Sequence, residues 1–201
     1  MRTGIDKRAT TLWDKSNKSY INYQNYLERK EDKFRLTMVD LLCISNFKGG
    51  FGSIHEEEKE VRRKLIAYSK VLVEIDARFG GRELWELSEE QCDELIGLIK
   101  RACDLTKMKT STKIDGIGVS YLSALLNAYF PKLIPIIDRR ILINMKLVAQ
   151  KDVRYGQIVD IENFYESLVK RVATIWRESG TDIREIDEAY FKRKLNVEGL
   201  K

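Results

Sequence analysis

Apolar residues recur every three or four positions over most of this chain, which is the spacing of amphipathic α-helices. No two neighbouring segments show the alternation of apolar and polar residues that a pair of β-strands requires. The pattern predicts helices over residues 20–30, 34–47 and 56–79, and another that begins at about residue 88. It further predicts a short helix near 105–112 and helices over 119–129, 139–149, 161–177 and 182–194. The expected fold class is therefore all-α.

The residues between these segments predict where several helices begin and end. Gly80 and Gly81 follow the longest segment, where glycine commonly caps a helix and turns the chain. Ser88 and Gln91 have the spacing of a capping box. Pro131 and Pro135 restrict the backbone before and at each proline, so the sequence predicts an extended connection here rather than a helix.

Composition narrows the class of protein. With 201 residues, 43% hydrophobic and 33% charged, the chain is expected to form an ordinary globular protein with one core, or two small lobes that share one. No stretch approaches the roughly 20 apolar residues of a membrane span, and the first residues lack the apolar core of a signal peptide. A cytoplasmic protein is therefore expected, nucleoid-associated if its source is bacterial, with no membrane partner.

Three cysteines and one histidine are too few for several kinds of site. The cysteines have no CxxC spacing, and an odd number fits neither a disulfide framework nor a zinc site. A cluster held by four thiolates is excluded by the count. No metal site is expected, and the cysteines are interpreted as small buried hydrophobic residues.

Positive charge is concentrated around one apolar segment. The net charge is +5, with five basic residues and one acid in 100–113, and five basic residues and two acids in 138–154. Either run alone is typical of a solvated helix face. Because the two runs bracket residues 114–142, together they favour a polyanionic partner.

The segment "IDGIGVSYLSALL" predicts a tight reversal of the chain between two helices. Gly116 can adopt the positive φ that such a turn needs, and Gly118 permits another backbone to approach closely. Ile114 and Ile117 are expected to pack between the helices. The second helix then begins with free N–H groups that suit a phosphate oxygen, although glycines at such turns are often purely structural.

Asp138 is the acid that ends the apolar connection "FPKLIPII", and two arginines follow it. Aspartate is among the best residues for capping a helix N-terminus, so a structural role is one interpretation. Capping and catalysis do not exclude each other, so a catalytic role is the other interpretation.

Together, Gly116, Gly118, the apolar helix, the "PxxIPII" connection and an acid 20 residues after Gly118 resemble the helix-hairpin-helix DNA glycosylase superfamily. The resemblance implies two helical lobes with a cleft between them, and Asp138 as the catalytic carboxylate. It implies an N-terminal helical segment (1–33) that packs with the C-terminal lobe, a lobe ending in the hairpin (34–134) and a C-terminal lobe (135–201). The pair Ile114-Asp115 departs from the Leu-Pro that the family commonly has before its first glycine, and Tyr121-Leu122 replaces its usual Thr-Ala.

The resemblance also implies residues that contact DNA. At the hairpin and beside the acid these are Gly116, Gly118, Val119, Ser120, Lys113, Arg139 and Arg140. Asn46, Phe47 and Lys48 are candidates for the side chain that fills the gap left in the duplex by a flipped base. The alternative interpretation is that these three residues only form the C-terminal end of a helix. The N-terminal segment also contains the aromatic residues Trp13, Tyr20, Tyr23 and Tyr26. Such side chains can stack on a base, but aromatic residues at helical spacing more often pack in the core.

The activity implied is that of a monofunctional glycosylase, which removes a damaged or modified base and leaves an abasic site. Family members with lyase activity carry a lysine in the hairpin helix, where this chain has Ser120; Lys113 and Lys48 are the available substitutes. The expected partner is double-stranded DNA and the expected state a monomer. No cofactor is expected, with a monovalent cation at the hairpin turn as an open alternative. The superfamily includes phage-defence glycosylases that remove modified cytosines, such as glucosylated hydroxymethylcytosine, from invading genomes. The resemblance suggests that this chain is one of them.

Two other classes of function remain open from the sequence. One is a non-catalytic helix-hairpin-helix module that binds DNA, in which Asp138 only caps a helix. The other is a helical protein-interaction domain in which the glycines only shape a turn.

Overall fold

A computed structural model describes residues 4–50 and 54–195. Within these residues the chain forms eight α-helices, which confirms the all-α prediction. They are α1 (Lys7–Glu28), α2 (Met38–Phe47), α3 (Glu58–Phe79), α4 (Glu89–Asp104), α5 (Val119–Tyr129), α6 (Arg139–Asn144), α7 (Tyr165–Ser179) and α8 (Ile183–Phe191). None of the described helices is both long and apolar enough to cross a bilayer.

A small β-hairpin lies between α6 and α7 and was not predicted. Strand β1 (Val153–Arg154) pairs antiparallel with β2 (Gln157–Ile158). Each strand has two residues, too few for an alternating pattern to be visible in the sequence. Tyr155 (φ 51°) and Gly156 (φ 73°) form the two-residue turn, and positive φ at both positions is the geometry that such hairpins favour.

Some predicted helix boundaries are confirmed, and others are wrong. Helix α5 has the predicted bounds, and the Ser88–Gln91 capping box forms with hydrogen bonds of 3.1 and 3.2 Å. Helix α1 begins well before residue 20 because Asp6 caps it: its Oδ1 accepts hydrogen bonds from the backbone of Arg8 (2.9 Å) and Ala9 (3.2 Å). Polar positions in α1 hide this first half from a periodicity argument.

The helix predicted near 105–112 does not form; this segment is a series of turns. Thr106, Thr110 and Thr112 direct their hydroxyls onto the carbonyl oxygens of Cys103 (2.8 Å), Lys107 (2.9 Å) and Leu105 (3.1 Å). Such bonds offer the backbone an alternative to the helix, and Lys109 has a positive φ of 76°. Likewise, the helix predicted over 139–149 ends at Asn144, before Lys146 with its φ of 59°.

Buried residues from all eight described helices join in one hydrophobic cluster. Helix α1 contacts α2, α5 and α8, and α4 packs on α7. The segment before α1 also meets the segment after α8, where Ile5 and Arg193 form an isolated antiparallel bridge. The division into 1–33, 34–134 and 135–201, with a cleft, stays a prediction, and residues 1–3 and 196–201 lie outside the described residues.

Candidate functional site

The extended connection before α6 is held by hydrogen bonds from two helices. The backbone N–H of Ile137 donates to Ser123 Oγ (3.1 Å), and Asn127 Nδ2 donates to the carbonyl of Ile134 (2.8 Å). From α7, Tyr165 Oη donates to the carbonyl of Pro135 (2.8 Å). These partners are buried, as is Ile137. The backbone that leads into Asp138 is therefore fixed by α5, the helix that begins at the hairpin turn.

Asp138 caps α6 and also forms an ion pair. Its Oδ1 accepts a hydrogen bond from the backbone of Arg140 (2.8 Å). Its Oδ2 lies 3.3 Å from Nζ of Lys48, at the end of α2. The side chain remains 21% exposed, so the second oxygen is available to a ligand as well as to the lysine. The capping role is observed, and it leaves the catalytic role possible.

Asp138 and Lys48 lie in the wall of a cavity of about 230 Å³. Half of its lining residues are apolar or aromatic, and four carry ionisable side chains. The apolar and aromatic residues are Leu12, Trp13, Phe47, Ile136, Ile141 and Phe191; the ionisable ones are Lys48, Asp138, Arg184 and Asp187. An apolar pocket with a few convergent polar groups is the usual form of a small-molecule site.

Of the ionisable residues of this cavity, the sequence interpretation missed Arg184 and Asp187. Arg184 lies over the rings of Trp13 (3.9 Å to the centroid) and Tyr20 (4.6 Å), and Asp187 is completely buried. A signal did exist: Asp187 continues the buried stripe of Ile183 and Ile186 at helical spacing, so a carboxylate stands where an apolar residue is expected.

The three candidates at the end of α2 have different environments. Asn46 is exposed, Phe47 is only 6% exposed, and Lys48 is partly buried. The ring of Phe47 packs against Tyr20, with centroids 5.3 Å apart, and lines the cavity. Phe47 is thus part of the cavity wall, whereas Asn46 beside it faces solvent.

The two arginines after Asp138 are both bonded within the protein. Arg139 is exposed and its Nη1 donates to the carbonyl of Gly156 in the β-hairpin. Arg140 pairs with Asp6 (2.8 Å) and donates to the carbonyls of Phe191 (3.0 Å) and Arg193 (2.9 Å). These contacts favour a structural role for Arg140, which joins the two terminal segments of the described chain.

The hairpin turn has the predicted backbone. Gly116 has a φ of 81°, and Ile114 and Ile117 are 0% and 3% exposed. Gly118 is the N-cap of α5 in an extended conformation (φ −106°). A Cβ at Gly118 would have no atom within 4 Å, so nothing inside the protein requires glycine there. The open side of this position is free for another molecule.

Charged side chains bind the same turn. Glu56 accepts a hydrogen bond from the backbone of Asp115 (2.6 Å) and is paired with Lys64. Burial alone would raise the pKa of Glu56, but hydrogen bonds from Lys64 and Asp115 outweigh it and lower that pKa. Lys113 Nζ donates to the carbonyl of Ile117, and Lys64 Nζ to that of Lys113 (2.6 Å).

This arrangement affects how the turn could bind its two predicted ligands, a monovalent cation and a DNA phosphate. The ammonium groups of Lys64 and Lys113 already donate to two backbone carbonyl oxygens of the turn, so a monovalent cation there would compete with them. The carboxylates of Glu56 and Asp115 would repel a phosphate. The amides of Val119 and Ser120, in the first turn of α5, have no partner within the helix by its geometry. Both ligands stay predictions.

Metal ligands and thiols are the other groups that could carry chemistry. No group of three or more His, Cys, Asp or Glu side chains among the described residues is placed to hold a metal ion. Cys92 and Cys103 are buried, and Cys43 is partly buried. In comparisons with protein-family models, with curated proteins and with solved structures, none matches the chain.

Proposed function

We propose that this protein is a DNA glycosylase that draws a damaged or modified base out of the duplex and hydrolyses its N-glycosidic bond. The observation that carries the proposal is the place of Asp138: a partly exposed carboxylate, fixed at a helix start, in the wall of an aromatic-lined cavity. The resemblance of the hairpin segment to the glycosylase superfamily supplies the reaction.

The chemistry requires a carboxylate in such a place. When the base leaves, positive charge develops on the deoxyribose, and a fixed carboxylate stabilises that charge and orients a water molecule. The backbone N–H of Arg140 and the ammonium of Lys48 hold Asp138 at 2.8 and 3.3 Å, so its geometry does not have to be organised during the reaction.

The cavity suits a base. Its volume of about 230 Å³ is below the roughly 300–1,000 Å³ of sites that enclose drug-sized molecules, which favours a single planar ring system. Trp13, Phe47 and Phe191 provide aromatic surface on which such a ring can stack.

The DNA duplex is proposed to bind across the hairpin turn and the end of α2. The amides of Val119 and Ser120 would receive a phosphate beside Gly116 and Gly118, and Lys113 and Arg139 add positive charge. Asn46 is the favoured wedge because it is exposed next to the cavity, while Phe47 is committed to the wall. Removal of a modified cytosine from phage DNA remains the proposed biological role.

The test compares two aspartates that cap helices. Asp138→Asn keeps the cap and removes the charge; Asp182→Asn does the same at α8, where Asp182 accepts from the backbone of Glu185 (2.9 Å) outside the cavity. Both proteins are incubated with normal, damaged and phage-modified duplexes, and released bases are identified by mass spectrometry. We expect base release to fall by about 100-fold or more in Asp138→Asn alone, from the size of electrostatic effects on catalysis. Unchanged release in Asp138→Asn, or no release by the wild type, contradicts the proposal.

A glycosylase with lyase activity is the second candidate, and the Lys48–Asp138 distance of 3.3 Å favours it. Ser120 in the hairpin helix predicts no covalent intermediate. Borohydride treatment of protein with substrate DNA separates the two: absence of an adduct supports a monofunctional enzyme. An adduct that Lys48→Arg abolishes establishes Lys48 as the nucleophile.

The remaining alternatives are separated by binding. A non-catalytic DNA-binding module retains DNA affinity in Asp138→Asn and releases no base. DNA affinity that depends on phosphate contacts falls steeply between about 50 and 200 mM salt. A protein-interaction domain would show no such salt-dependent binding.

A further inference from the structure

Asp187 is a buried carboxylate without a hydrogen-bond partner among the described residues. It lies in α8 and is 0% exposed, and neither Oδ1 nor Oδ2 has a donor at ordinary hydrogen-bond geometry. The backbone N–H of Ile136 interacts with the carboxyl only outside that geometry. A buried polar group left in this way costs stability, so native proteins rarely keep one without a use. Asp187 lines the same cavity as Asp138 and Lys48.

The charged and titratable groups that surround Asp187 come from five elements. They are Arg184 in α8, Asp138 at the start of α6, Lys48 at the end of α2, Tyr20 in α1 and Tyr165 in α7. Burial is the largest influence and raises the pKa of Asp187 to about 7, although Arg184 and the backbone of Ile136 partly oppose it. A large fraction of the protein therefore holds Asp187 as a neutral acid at physiological pH.

Arg184 does not neutralise Asp187 by a direct ion pair. Its Nη2 donates to Asn17 Oδ1 (2.9 Å) and its guanidinium stacks on Trp13 and Tyr20, while Nε and Nη1 are buried without partners. Two hydrogen-bonding groups, one acidic and one basic, are thus left unsatisfied beside one aromatic cavity. A planar ring that carries both donors and acceptors is the ligand that complements them.

We propose that Asp187 is the acid that protonates the departing base, so that the substrates are cytosine-type or purine bases, which leave only with difficulty unless protonated. This inference rests on the proposed glycosylase function and assigns a second carboxylate to the same site. Asp187 lines the cavity but is completely buried in the structure, so its carboxyl contacts the base after the side chains around the cavity shift to uncover it.

The reaction balances with these two acids. The carboxyl of Asp187 transfers its proton to a ring nitrogen or carbonyl oxygen of the base, and the C1′–N bond breaks with its electron pair going to the base. Water then adds to C1′ and gives its proton to Asp138. Two carboxylates whose surroundings favour different protonation states are the usual means of supplying an acid and a charge stabiliser at one site.

The chemistry separates the possible substrates into two groups. Cytosine, 5-hydroxymethylcytosine and adenine are poor leaving groups as anions and require the proton. Uracil and 5-hydroxymethyluracil leave as stabilised anions, and 3-methyladenine is already cationic, so these three have little need of an acid. Cytosine and uracil, and their hydroxymethyl derivatives, form matched pairs of nearly equal size.

The experiment measures single-turnover base release from duplexes carrying each of these six bases. Wild type, Asp187→Asn and the control Asp182→Asn are compared between pH 5 and 9, with thermal unfolding to verify folding. We expect the wild type to release bases of the first group, with a rate that falls as pH rises above about 7. Asp187→Asn should lose about 100-fold or more on these bases, which is the usual contribution of a general acid, and its rate should lack that dependence on pH.

The outcomes distinguish this inference from the proposed function. Release that depends on Asp138 but is unchanged in Asp187→Asn, or that is confined to the second group of bases, overturns the inference and keeps the glycosylase. No release of any base, or release unaffected by Asp138→Asn, overturns both. If Asp187→Asn does not fold, the wild-type pH profile and the choice between matched bases decide the question.

Discussion

Asp40 and Asp187 are both 0% exposed, yet their surroundings are opposite. Asp40, in α2, accepts hydrogen bonds from Tyr23 (2.9 Å), Lys30 (2.9 Å to each oxygen), Tyr129 (3.2 Å) and the backbone and hydroxyl of Thr37 (2.7 and 2.9 Å). Asp187 has no hydrogen-bond partner among the described residues.

The difference indicates what each acid is for. A buried charge with a complete set of donors specifies the packing of the elements that supply them, here α1, α2 and α5. A buried acid that no donor reaches at ordinary hydrogen-bond geometry costs stability, so its presence beside a cavity points to function. The contrast predicts that the same substitution will have opposite consequences at the two positions.

The largest effect on stability is expected at Asp40. Asp40→Asn removes the charge that balances Lys30, whose side chain is 8% exposed. Breaking one half of a buried pair costs about 3–5 kcal/mol because the other charge stays buried. Urea unfolding at pH 7 measures this loss, and a loss below about 1 kcal/mol would show that the Asp40 cluster is not a structural centre.

At Asp187 the expected effect depends on pH. The pKa is raised from 3.8 to about 7 on folding, so the folded state binds more protons than the unfolded state between these values. Stability therefore falls as pH rises from about 4 to about 7, by an amount on the order of 4 kcal/mol from this group. Asp187→Asn should lack this component. Its free energy of unfolding should therefore rise relative to that of the wild type as the pH increases from about 4 to about 7. Parallel pH curves for the two proteins would contradict the burial of an unpaired acid.

The smallest effect is expected where an ion pair is partly exposed. Lys48 and Asp138 are 14% and 21% exposed, against 8% and 0% for Lys30 and Asp40. Lys48→Met should cost at most about 1 kcal/mol, as partly solvated pairs usually do, while Lys30→Met leaves a fully buried carboxylate and should cost several times more. Equal losses in the two variants, measured by urea unfolding, would remove the distinction between a structural pair and a pair kept for chemistry.

The parts that the sequence predicted are those determined over short distances. The bounds of α5, the Ser88 cap, the positive φ of Gly116 and the burial of Ile114 and Ile117 follow from local propensities and spacing. The failure at 105–112 is also local in origin, because three threonine hydroxyls compete with the helix for backbone carbonyls.

The candidate site was predicted only in part, because tertiary packing assembles it. Asp138 was identified from its position after the apolar connection, and Lys48 was named without any indication that the two would meet. Arg184 and Asp187 join them because α8 packs on α6 and α1, two elements that are distant from α8 in the sequence. The sequence places an acid in the apolar stripe of α8, but the absence of partners around it is a property of three-dimensional packing alone.

The position of Trp13 gives the cavity an optical reporter of its own. Its indole lies in the cavity wall against Arg184. Trp85, by contrast, is 44% exposed, donates a hydrogen bond to Glu83 and is not part of the cavity wall. In a protein in which Trp85 and Trp176 are replaced by phenylalanine, all tryptophan emission comes from Trp13. Entry of a ring into the cavity then changes fluorescence intensity directly, and occupancy can be followed in real time without a label.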